Sequence, residues 1–316
     1  MSFREKKVRL SSTPEAGKPC PGIPVQALGI RLDGAWVPFA RAGEGPALLL
    51  VHGLLASSFS WRQAIPKMAE QFTVYAPDLP GAGLAELPPG MNCQLEACGE
   101  RLLRFMDATG IKDCHLLGTS HGGAVAIMAA ALDPRRIRTL ILVAPVNPWS
   151  ARGKVLSILL SRMVPAFAFL RVAPRLRSLQ EFYFRRLYGD SRRIRQETLE
   201  GYLKPLLGPE PFRYGLAVLR SWNRDLRRLE SVLPRISRIP TLLVWGSRDG
   251  AVDPASAVPL RQQFADCELR MMTGVGHLPY EEAPEEFNQA ILEFLGHGRG
   301  KAAISTEPSR LSDSAE

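Results

Sequence analysis

A serine, an aspartate and a histidine of this chain each follow a short apolar run, and these three residue types together can perform nucleophilic catalysis. Ser120 lies in the segment 118–122, Gly-Thr-Ser-His-Gly, between a strand-like run at 114–117 and a helix-like run of small residues at 123–130. A sharp strand-to-helix turn exposes a serine hydroxyl, and glycines on both sides let the backbone approach a neighbouring strand. The pattern predicts Ser120 as a nucleophile.

An acid and a base follow downstream. The apolar run 241–245 predicts a buried strand, and Asp249 lies just beyond its carboxyl end. The run 269–272 predicts the last strand, and a glycine-flanked loop after it contains His277. A serine hydroxyl is a poor nucleophile at neutral pH until an imidazole accepts its proton, and the imidazole needs a carboxylate to fix its tautomer. We therefore expect Asp249 to be the orienting acid and His277 the general base.

The acid has a rival in the same loop. Asp253 lies four residues after Asp249 and could take its place, in which case Asp249 would cap a turn. The loop after the preceding strand-like run, 140–145, offers Asn147 and no carboxylate. The choice of acid therefore lies between Asp249 and Asp253, and the position nearer to the strand end favours Asp249.

The other four of the five histidines have different expected roles. His52 belongs to a His-Gly turn and is expected to be hydrogen-bonded there. His115 falls inside a strand and is expected to be a core side chain, whereas His297 lies in a glycine-rich tail and is expected to be solvated. The His121 side chain could reach the pocket wall or contact substrate.

Two backbone amides are candidates for an oxyanion hole. The apolar run 47–51 is followed by His-Gly-Leu, which would aim the amide of Leu54 at the nucleophile. The amide of His121, directly after Ser120, would be the second donor. Removing one such donor typically lowers the rate by about 10²- to 10³-fold. A glycine-rich turn at 76–83 then closes the next predicted strand.

These motifs, in this order, resemble those of the α/β-hydrolase fold, of the single-domain type with a helical cap. The resemblance covers about residues 25–296 and implies a mainly parallel, doubly wound sheet. By motif position it implies Ser120 as nucleophile, Asp249 as acid, His277 as base, and Leu54 and His121 as amide donors. No metal and no organic cofactor is implied.

The same resemblance implies a reaction. A Ser-His-Asp triad in this family hydrolyses an acyl bond through an acyl-enzyme, and a carboxylesterase or lipase-like enzyme is the first expectation. A carbon-carbon bond hydrolase, a thioesterase, a cofactor-free perhydrolase and a non-catalytic ligand-binding protein on the same scaffold stay open. Dehalogenases and epoxide hydrolases of the family use an aspartate at the position of Ser120, which argues against both.

The chain organisation fits one catalytic domain. With 316 residues, of which 46% are hydrophobic, the chain can bury a large core. Strand-like and helix-like runs alternate after an Asp-Gly hairpin near residue 33, which predicts a core of residues 23–146 and 239–296. A helix-compatible cap is predicted over 147–238. Residues 1–22 and 297–316 are predicted to be disordered tails.

The predicted cap is strongly basic. Residues 151–240 contain 19 Lys and Arg against 7 Asp and Glu, a net charge of +12, while the whole chain has +9. Nothing resembles a zinc, recognition-helix or aromatic-strand motif, so a nucleic-acid partner is not expected. Apolar runs at 155–160 and 163–172, bordered by arginines, predict a lid over the site or an element that contacts anionic lipid. Both are too short to span a bilayer.

Two further expectations concern substrate and compartment. Apolar residues of the cap would line the pocket in this fold, which favours a small-molecule substrate with a medium or long acyl chain or an aromatic group. The N-terminal residues lack the apolar core of a secretory signal. The five cysteines show no metal-ligand spacing. A cytoplasmic protein is predicted, with peripheral membrane contact as a hypothesis and the oligomeric state left open.

Overall fold

A computed structural model describes residues 23–150 and 162–296. Its eight strands form one sheet in the order β1-β2-β4-β3-β5-β6-β7-β8. The strands are β1 (Gln26–Leu32), β2 (Ala35–Ala42), β3 (Ala47–Val51), β4 (Thr73–Pro77), β5 (Cys114–Thr119), β6 (Ile137–Val143), β7 (Thr241–Gly246) and β8 (Cys267–Met272). Neighbouring strands from β4 to β8 pair in parallel, whereas β2 is antiparallel to both β1 and β4. The predicted mainly parallel sheet is confirmed.

The antiparallel edge of the sheet arises from a tight turn. Asp33 and Gly34 connect β1 to β2 with φ angles of 51° and 80°. Positive φ at both central positions matches the right-handed twist of the two flanking strands, which is why Asp-Gly is favoured there. The predicted hairpin therefore forms and extends the sheet beyond β4.

Ten α-helices complete the described chain. They are α1 (Ile65–Met68), α2 (Leu95–Ala108), α3 (His121–Leu132), α4 (Met163–Val172), α5 (Arg177–Arg185), α6 (Gln196–Leu203), α7 (Glu210–Val232), α8 (Ala257–Arg261), α9 (Pro279–Glu282) and α10 (Pro284–Gly296). Gly99 of α2 lets the two helices α2 and α3 pack closely, because a Cβ built on it would lie 2.9 Å from Met128 Cγ and 3.0 Å from the Ala129 nitrogen.

Hydrophobic cores cover both faces of the sheet. Leu49 and Leu116 belong to one cluster, and the next residue of each strand, Leu50 and Leu117, belongs to the other. A parallel sheet covered by helices on both faces needs apolar residues at every position. This explains why the central strands are continuous apolar runs.

The described chain between β6 and β7 is helical. Residues 162–236, here called the helical insertion, contain α4 to α7 and short 3₁₀ turns, and no strand occurs in that described range. The predicted apolar run 155–160 and both predicted tails lie outside the described residues. Across the described ranges, no helix combines the length and hydropathy that a membrane span requires.

Candidate active site

Ser120 occupies a strained turn between β5 and α3. Its φ of 54° and ψ of −122° are unusual for a residue with a side chain. Its N–H donates to the carbonyl of Val143 (2.9 Å), and its carbonyl accepts from the N–H of Val146 (2.9 Å). The loop after β6 therefore holds the turn in place, and Ser120 is only partly buried.

Glycines make this turn possible. A Cβ on Gly122 would collide with the carbonyl oxygens of Val51 and His52, and a Cβ on Gly118 would collide with the carbonyl oxygen of Gly122. Gly122 is thus required by the close approach of β3 and its following turn, and Gly118 by the tightness of the serine turn itself.

The turn after β3 lies directly against the serine. A Cβ built on Gly53 would be 3.2 Å from Ser120 Cβ and 3.8 Å from its Oγ. The next amide, that of Leu54, and the amide of His121 have no backbone acceptor among residues 23–150 and 162–296. The structure thus brings the His-Gly turn to the serine and leaves both N–H groups without a partner in the described chain.

Asp249 and His277 form a buried hydrogen-bonded pair. His277 Nδ1 lies 2.7 Å from Asp249 Oδ2, and their side chains are 5% and 0% exposed. Asp249 Oδ1 accepts from the amides of Ala251 (2.7 Å) and Val252 (2.9 Å). The carboxylate is therefore fixed in place, and a proton on His277 Nδ1 leaves Nε2 free to accept another.

The rival acid has a different role. Asp253 caps the 3₁₀ turn Pro254–Ser256, where its side chain accepts from the amide of Ala255 (3.1 Å). Asn147 donates to the carbonyl of Pro145 and to the Ser256 hydroxyl, both at 3.0 Å. Asp249 is thus the carboxylate that contacts the histidine.

The three loops leave the same edge of the sheet. Thr119 pairs with Val143 and Val143 with Val244, and β7 pairs in turn with β8, so the carboxyl ends of β5 to β8 lie side by side. The loops that carry Ser120, Asp249 and His277 therefore open at the same edge of the sheet. The Ser120 hydroxyl makes no hydrogen bond to a described side chain, His277 included.

His52 and His115 are structural, as predicted. His52 Nδ1 donates to the carbonyl of Gly53, and its Nε2 accepts from the amide of Leu79, both at 2.8 Å. Burial lowers the pKa of His52 to about 4, against the opposing effect of the Gly53 hydrogen bond. His115 is buried and bonds to Thr139 (2.8 Å). His297 lies outside the described residues.

The His121 side chain contacts the helical insertion. Its Nε2 lies 2.9 Å from the hydroxyl of Tyr214 on α7, and that hydroxyl lies 3.5 Å from Cys98 Sγ. Burial, together with a smaller effect of the nearby His52, lowers the pKa of His121 to about 4. The imidazole is therefore neutral at physiological pH and ties α3 to α7.

Acid should destabilise the protein through His121. Its pKa is depressed on folding, so its contribution to stability is complete above the unfolded pKa of 6.5 and is lost as pH falls towards 4. We expect the unfolding free energy of the wild type, measured relative to His121→Gln, to fall by about 3 kcal/mol between pH 7 and pH 4. Urea denaturation at both pH values measures this difference. An unfolding free energy that changes by the same amount with pH in the wild type and in His121→Gln would contradict this prediction.

Glu282 joins the histidine loop to the helical insertion. Its Oε2 accepts from the amides of Gly276 (2.8 Å) and Gly189 (2.9 Å), and its Oε1 accepts from the amide of Asp190 (2.9 Å). In the reverse direction, the His277 amide donates to the carbonyl of Leu187 (2.6 Å). A buried carboxylate with three backbone donors thus fixes the loop that presents His277.

Glu282→Gln should weaken this connection. A glutamine places an NH₂ group where one carboxylate oxygen accepts, so at least one amide loses its acceptor and faces another donor. We expect the unfolding free energy to fall by about 2 to 3 kcal/mol. Chemical denaturation measures it, and Glu44→Gln, an exposed glutamate, should change it by less than about 0.5 kcal/mol. Equal effects of the two variants would contradict this role for Glu282.

A second buried ionic group stabilises the same region. Both carboxylate oxygens of Glu281 accept hydrogen bonds from the Arg62 guanidinium, and one of them also accepts from the hydroxyl of Tyr202 on α6 (2.7 Å). Arg62 also donates to Thr198 (2.8 Å). Sequence reasoning missed this group and Glu282, because most of their partners lie roughly 80 to 220 positions away in the chain and follow no local motif.

Two cavities are lined in part by the helical insertion. A cleft of about 480 Å³ separates the loop after β4, residues 81–88, from residues 205–211 of the helical insertion. Gly81 in that loop approaches Tyr214, the partner of His121. A second cavity of only about 10 Å³ is lined by His121, Asp225 and apolar residues that include Val146, Val218 and Leu226. The candidate catalytic side chains do not line the larger cleft.

This sheet, with a strained serine turn and a buried Asp-His pair at one edge, has the architecture of a hydrolase. The chain belongs to the α/β-hydrolase family: the model of the alpha/beta hydrolase fold matches residues 46–284. The relatives it resembles differ in reaction.

Two curated relatives and one solved structure illustrate the range. The chain is 28% identical to haloalkane dehalogenase 2 of Mycobacterium tuberculosis, with 82% of this chain and 91% of that protein covered. It is 27% identical to the pimeloyl-[acyl-carrier protein] methyl ester esterase of Aeromonas hydrophila, with 82% and 99% covered. The structure of 2-hydroxy-6-oxo-6-phenylhexa-2,4-dienoate hydrolase from Rhodococcus matches with a TM-score of 0.74 at 25% identity, with 87% and 100% covered.

Proposed function

We propose that the protein hydrolyses a carboxylic ester through an acyl-enzyme on Ser120. The observation that supports this most directly is the 2.7 Å contact between His277 Nδ1 and Asp249 Oδ2, at the sheet edge where the Ser120 turn is held in its strained conformation. The contact prepares one imidazole nitrogen as a base, and the turn exposes one hydroxyl as a nucleophile.

The first half of the reaction forms the acyl-enzyme. As Ser120 Oγ attacks the ester carbonyl, His277 Nε2 accepts its proton and Asp249 stabilises the imidazolium. The carbonyl oxygen becomes an oxyanion, and the amides of Leu54 and His121 donate to it. The tetrahedral intermediate then expels the alcohol, which takes the proton from Nε2. The hydrogen bond between a nucleophile and its general base commonly tightens only when substrate is bound. This accounts for the absence of a bond between the Ser120 hydroxyl and His277.

The second half releases the acid. A water molecule loses a proton to His277 Nε2 and attacks the acyl carbon, and the same two amides hold the new oxyanion. Breakdown of this intermediate returns the proton to Ser120 and frees the carboxylic acid. The cycle regenerates the enzyme and converts one ester and one water molecule into an alcohol and a carboxylic acid.

The serine at position 120 argues against dehalogenation as the reaction of this protein. If Ser120 attacked an alkyl halide, the product would be an alkyl ether, which has no carbonyl for water to attack. The enzyme would therefore be inactivated after a single reaction. An ester carbonyl, in contrast, gives an acyl-enzyme that the same triad can hydrolyse, so the similarity to a dehalogenase is best explained by shared fold.

An apolar substrate is supported by the surroundings of His121. Val146, Val218 and Leu226 line the same small cavity, and Tyr214 contacts His121 and lies close to Gly81 of the larger cleft. The space beside His121 is too small for an acyl chain, so we propose that the chain extends towards the cleft of about 480 Å³, a volume within the usual range of ligand sites.

A series of p-nitrophenyl esters from acetyl to palmitoyl tests the proposal. We expect turnover, with kcat/KM highest for a medium or long acyl chain. The second candidate, carbon-carbon bond hydrolysis, is favoured by the alignment with the whole Rhodococcus hydrolase. Turnover of 2-hydroxy-6-oxo-6-phenylhexa-2,4-dienoate without turnover of any ester would replace the first candidate by the second.

A further inference from the structure

Two helices of the helical insertion expose large apolar side chains to solvent. Of the twelve large hydrophobic side chains exposed among the described residues, six lie on α4 and α5, and Leu176 lies between these helices. We call this surface the α4–α5 face. Its six helical members are Met163, Phe167, Val172, Leu179, Phe182 and Tyr183.

The opposite sides of both helices are already packed. Ala166 of α4 is buried with Leu216 and Leu219 of α7. Phe184 of α5 is buried, with its ring centroid 4.7 Å from that of Tyr202. A surface helix normally presents polar residues to solvent once its apolar side is packed. The α4–α5 face is therefore a second apolar side, and packing among residues 23–150 and 162–296 does not explain it.

Arginines surround these apolar side chains. Residues 162–186 contain six arginines and one acidic residue, Glu181, which gives a net charge of +5. The Arg171 guanidinium lies 4.8 Å from the ring centroid of Phe167, and that of Arg186 lies 5.7 Å from Phe182. Cation and apolar group thus occur side by side on one surface.

Most of that positive charge is not neutralised locally. Arg177 pairs with Glu200 (2.6 Å) and Arg185 with Glu181 (2.7 Å). The other four arginines form no ion pair within the described chain; they are Arg162, Arg171, Arg175 and Arg186. Arg175 donates to the carbonyl of Arg171, and none of the four guanidinium groups has a carboxylate partner there. Guanidinium groups can bind a phosphate through two N–H donors at once.

We propose that the α4–α5 face docks the protein on an anionic lipid bilayer. Phe167 and Phe182 enter the head-group layer, where aromatic rings are favoured, and the arginines bind lipid phosphates. Charge decides against a second copy of the chain as the occupant, because self-association would bring two faces of +5 together. Docking is measured as binding to vesicles, so the result does not depend on whether the protein hydrolyses esters.

Vesicle sedimentation of the full chain tests the proposal. We expect the protein to sediment with phosphatidylcholine vesicles that contain phosphatidylglycerol, at least about tenfold more tightly than with phosphatidylcholine alone, and to dissociate at high salt. Phe167→Ser with Phe182→Ser should weaken binding at least about tenfold, and so should Arg171→Glu with Arg175→Glu. Val258→Ser is the matched control, because Val258 is 56% exposed on α8, close to the 58% of Phe182.

Several results would overturn the proposal. Absence of sedimentation with the anionic vesicles is one, and equal binding by the wild type and both double variants is another. A concentration-dependent dimer in analytical ultracentrifugation, abolished by Phe167→Ser with Phe182→Ser, would assign the face to self-association instead. Thermal unfolding of each variant checks its folding, and the charge-reversal pair provides an independent test if the serine pair fails to fold.

Discussion

Replacing Asp249 by asparagine should lower kcat for ester hydrolysis by about 10⁴-fold. Asparagine keeps the shape of the side chain, and its oxygen can still accept from the amides of Ala251 and Val252. Its NH₂ group would then donate to His277 Nδ1, which forces the imidazole proton onto Nε2. A protonated Nε2 cannot accept the proton of Ser120. Steady-state kinetics with a p-nitrophenyl ester measures the effect, and KM should change far less than kcat.

Asp253→Asn is the matched control for this prediction. Asp253 lies in the same loop and accepts from the amide of Ala255. Asparagine caps a turn about as well as aspartate, so kcat should stay within about twofold of the wild type. Equal losses in the two variants would point to loop distortion, and full activity in Asp249→Asn would remove Asp249 from the mechanism.

Ser120→Ala should abolish the covalent route, with a loss in kcat of about 10⁴- to 10⁶-fold. Alanine meets the same backbone strain at φ 54° that serine does, so the unfolding free energy should change by less than about 1 kcal/mol. Ester turnover and urea denaturation measure the two quantities. Ser247→Ala serves as control, since Ser247 is an exposed serine in the loop after β7 that accepts from the amide of Gly274 (2.9 Å). Turnover that survives in Ser120→Ala would assign the nucleophile elsewhere.

Much of the fold could be predicted because local patterns specify it. Continuous apolar runs marked the central strands, since both faces of the sheet are covered, and the Asp-Gly pair marked the hairpin. The glycines around Ser120 could be understood from the sequence, because the turn geometry that requires them is local. The close approach of Gly122 to Val51 and His52 depends on the pairing of β3 with β5.

The supporting groups of the site could not be predicted in the same way. Glu282 contacts Gly189 and Asp190, more than ninety positions earlier, and the partner of His121 is Tyr214 on a helix of the insertion. Such contacts depend on how the helical insertion packs on the sheet, and no spacing in the sequence encodes them. The choice between Asp249 and Asp253 likewise needed the loop conformation, since both carboxylates follow the same strand.

We propose two roles for the helical insertion, one in holding the active site and one in binding a lipid surface. Through Leu187, Gly189 and Asp190 it holds the loop that presents His277. Through the α4–α5 face it offers apolar and basic side chains to a lipid surface. If both proposals hold, the segment that fixes the catalytic base also places the protein where apolar esters are concentrated.

The central claim is that Ser120 is a nucleophile activated by the Asp249-His277 pair, and covalent labelling tests it most directly. The wild type is treated with a fluorophosphonate, its intact mass is measured, and the modified peptide is sequenced by mass spectrometry. We predict one adduct per chain, located on Ser120 and strongly slowed in Asp249→Asn. An unlabelled wild type, or an adduct that persists in Ser120→Ala, would contradict the claim.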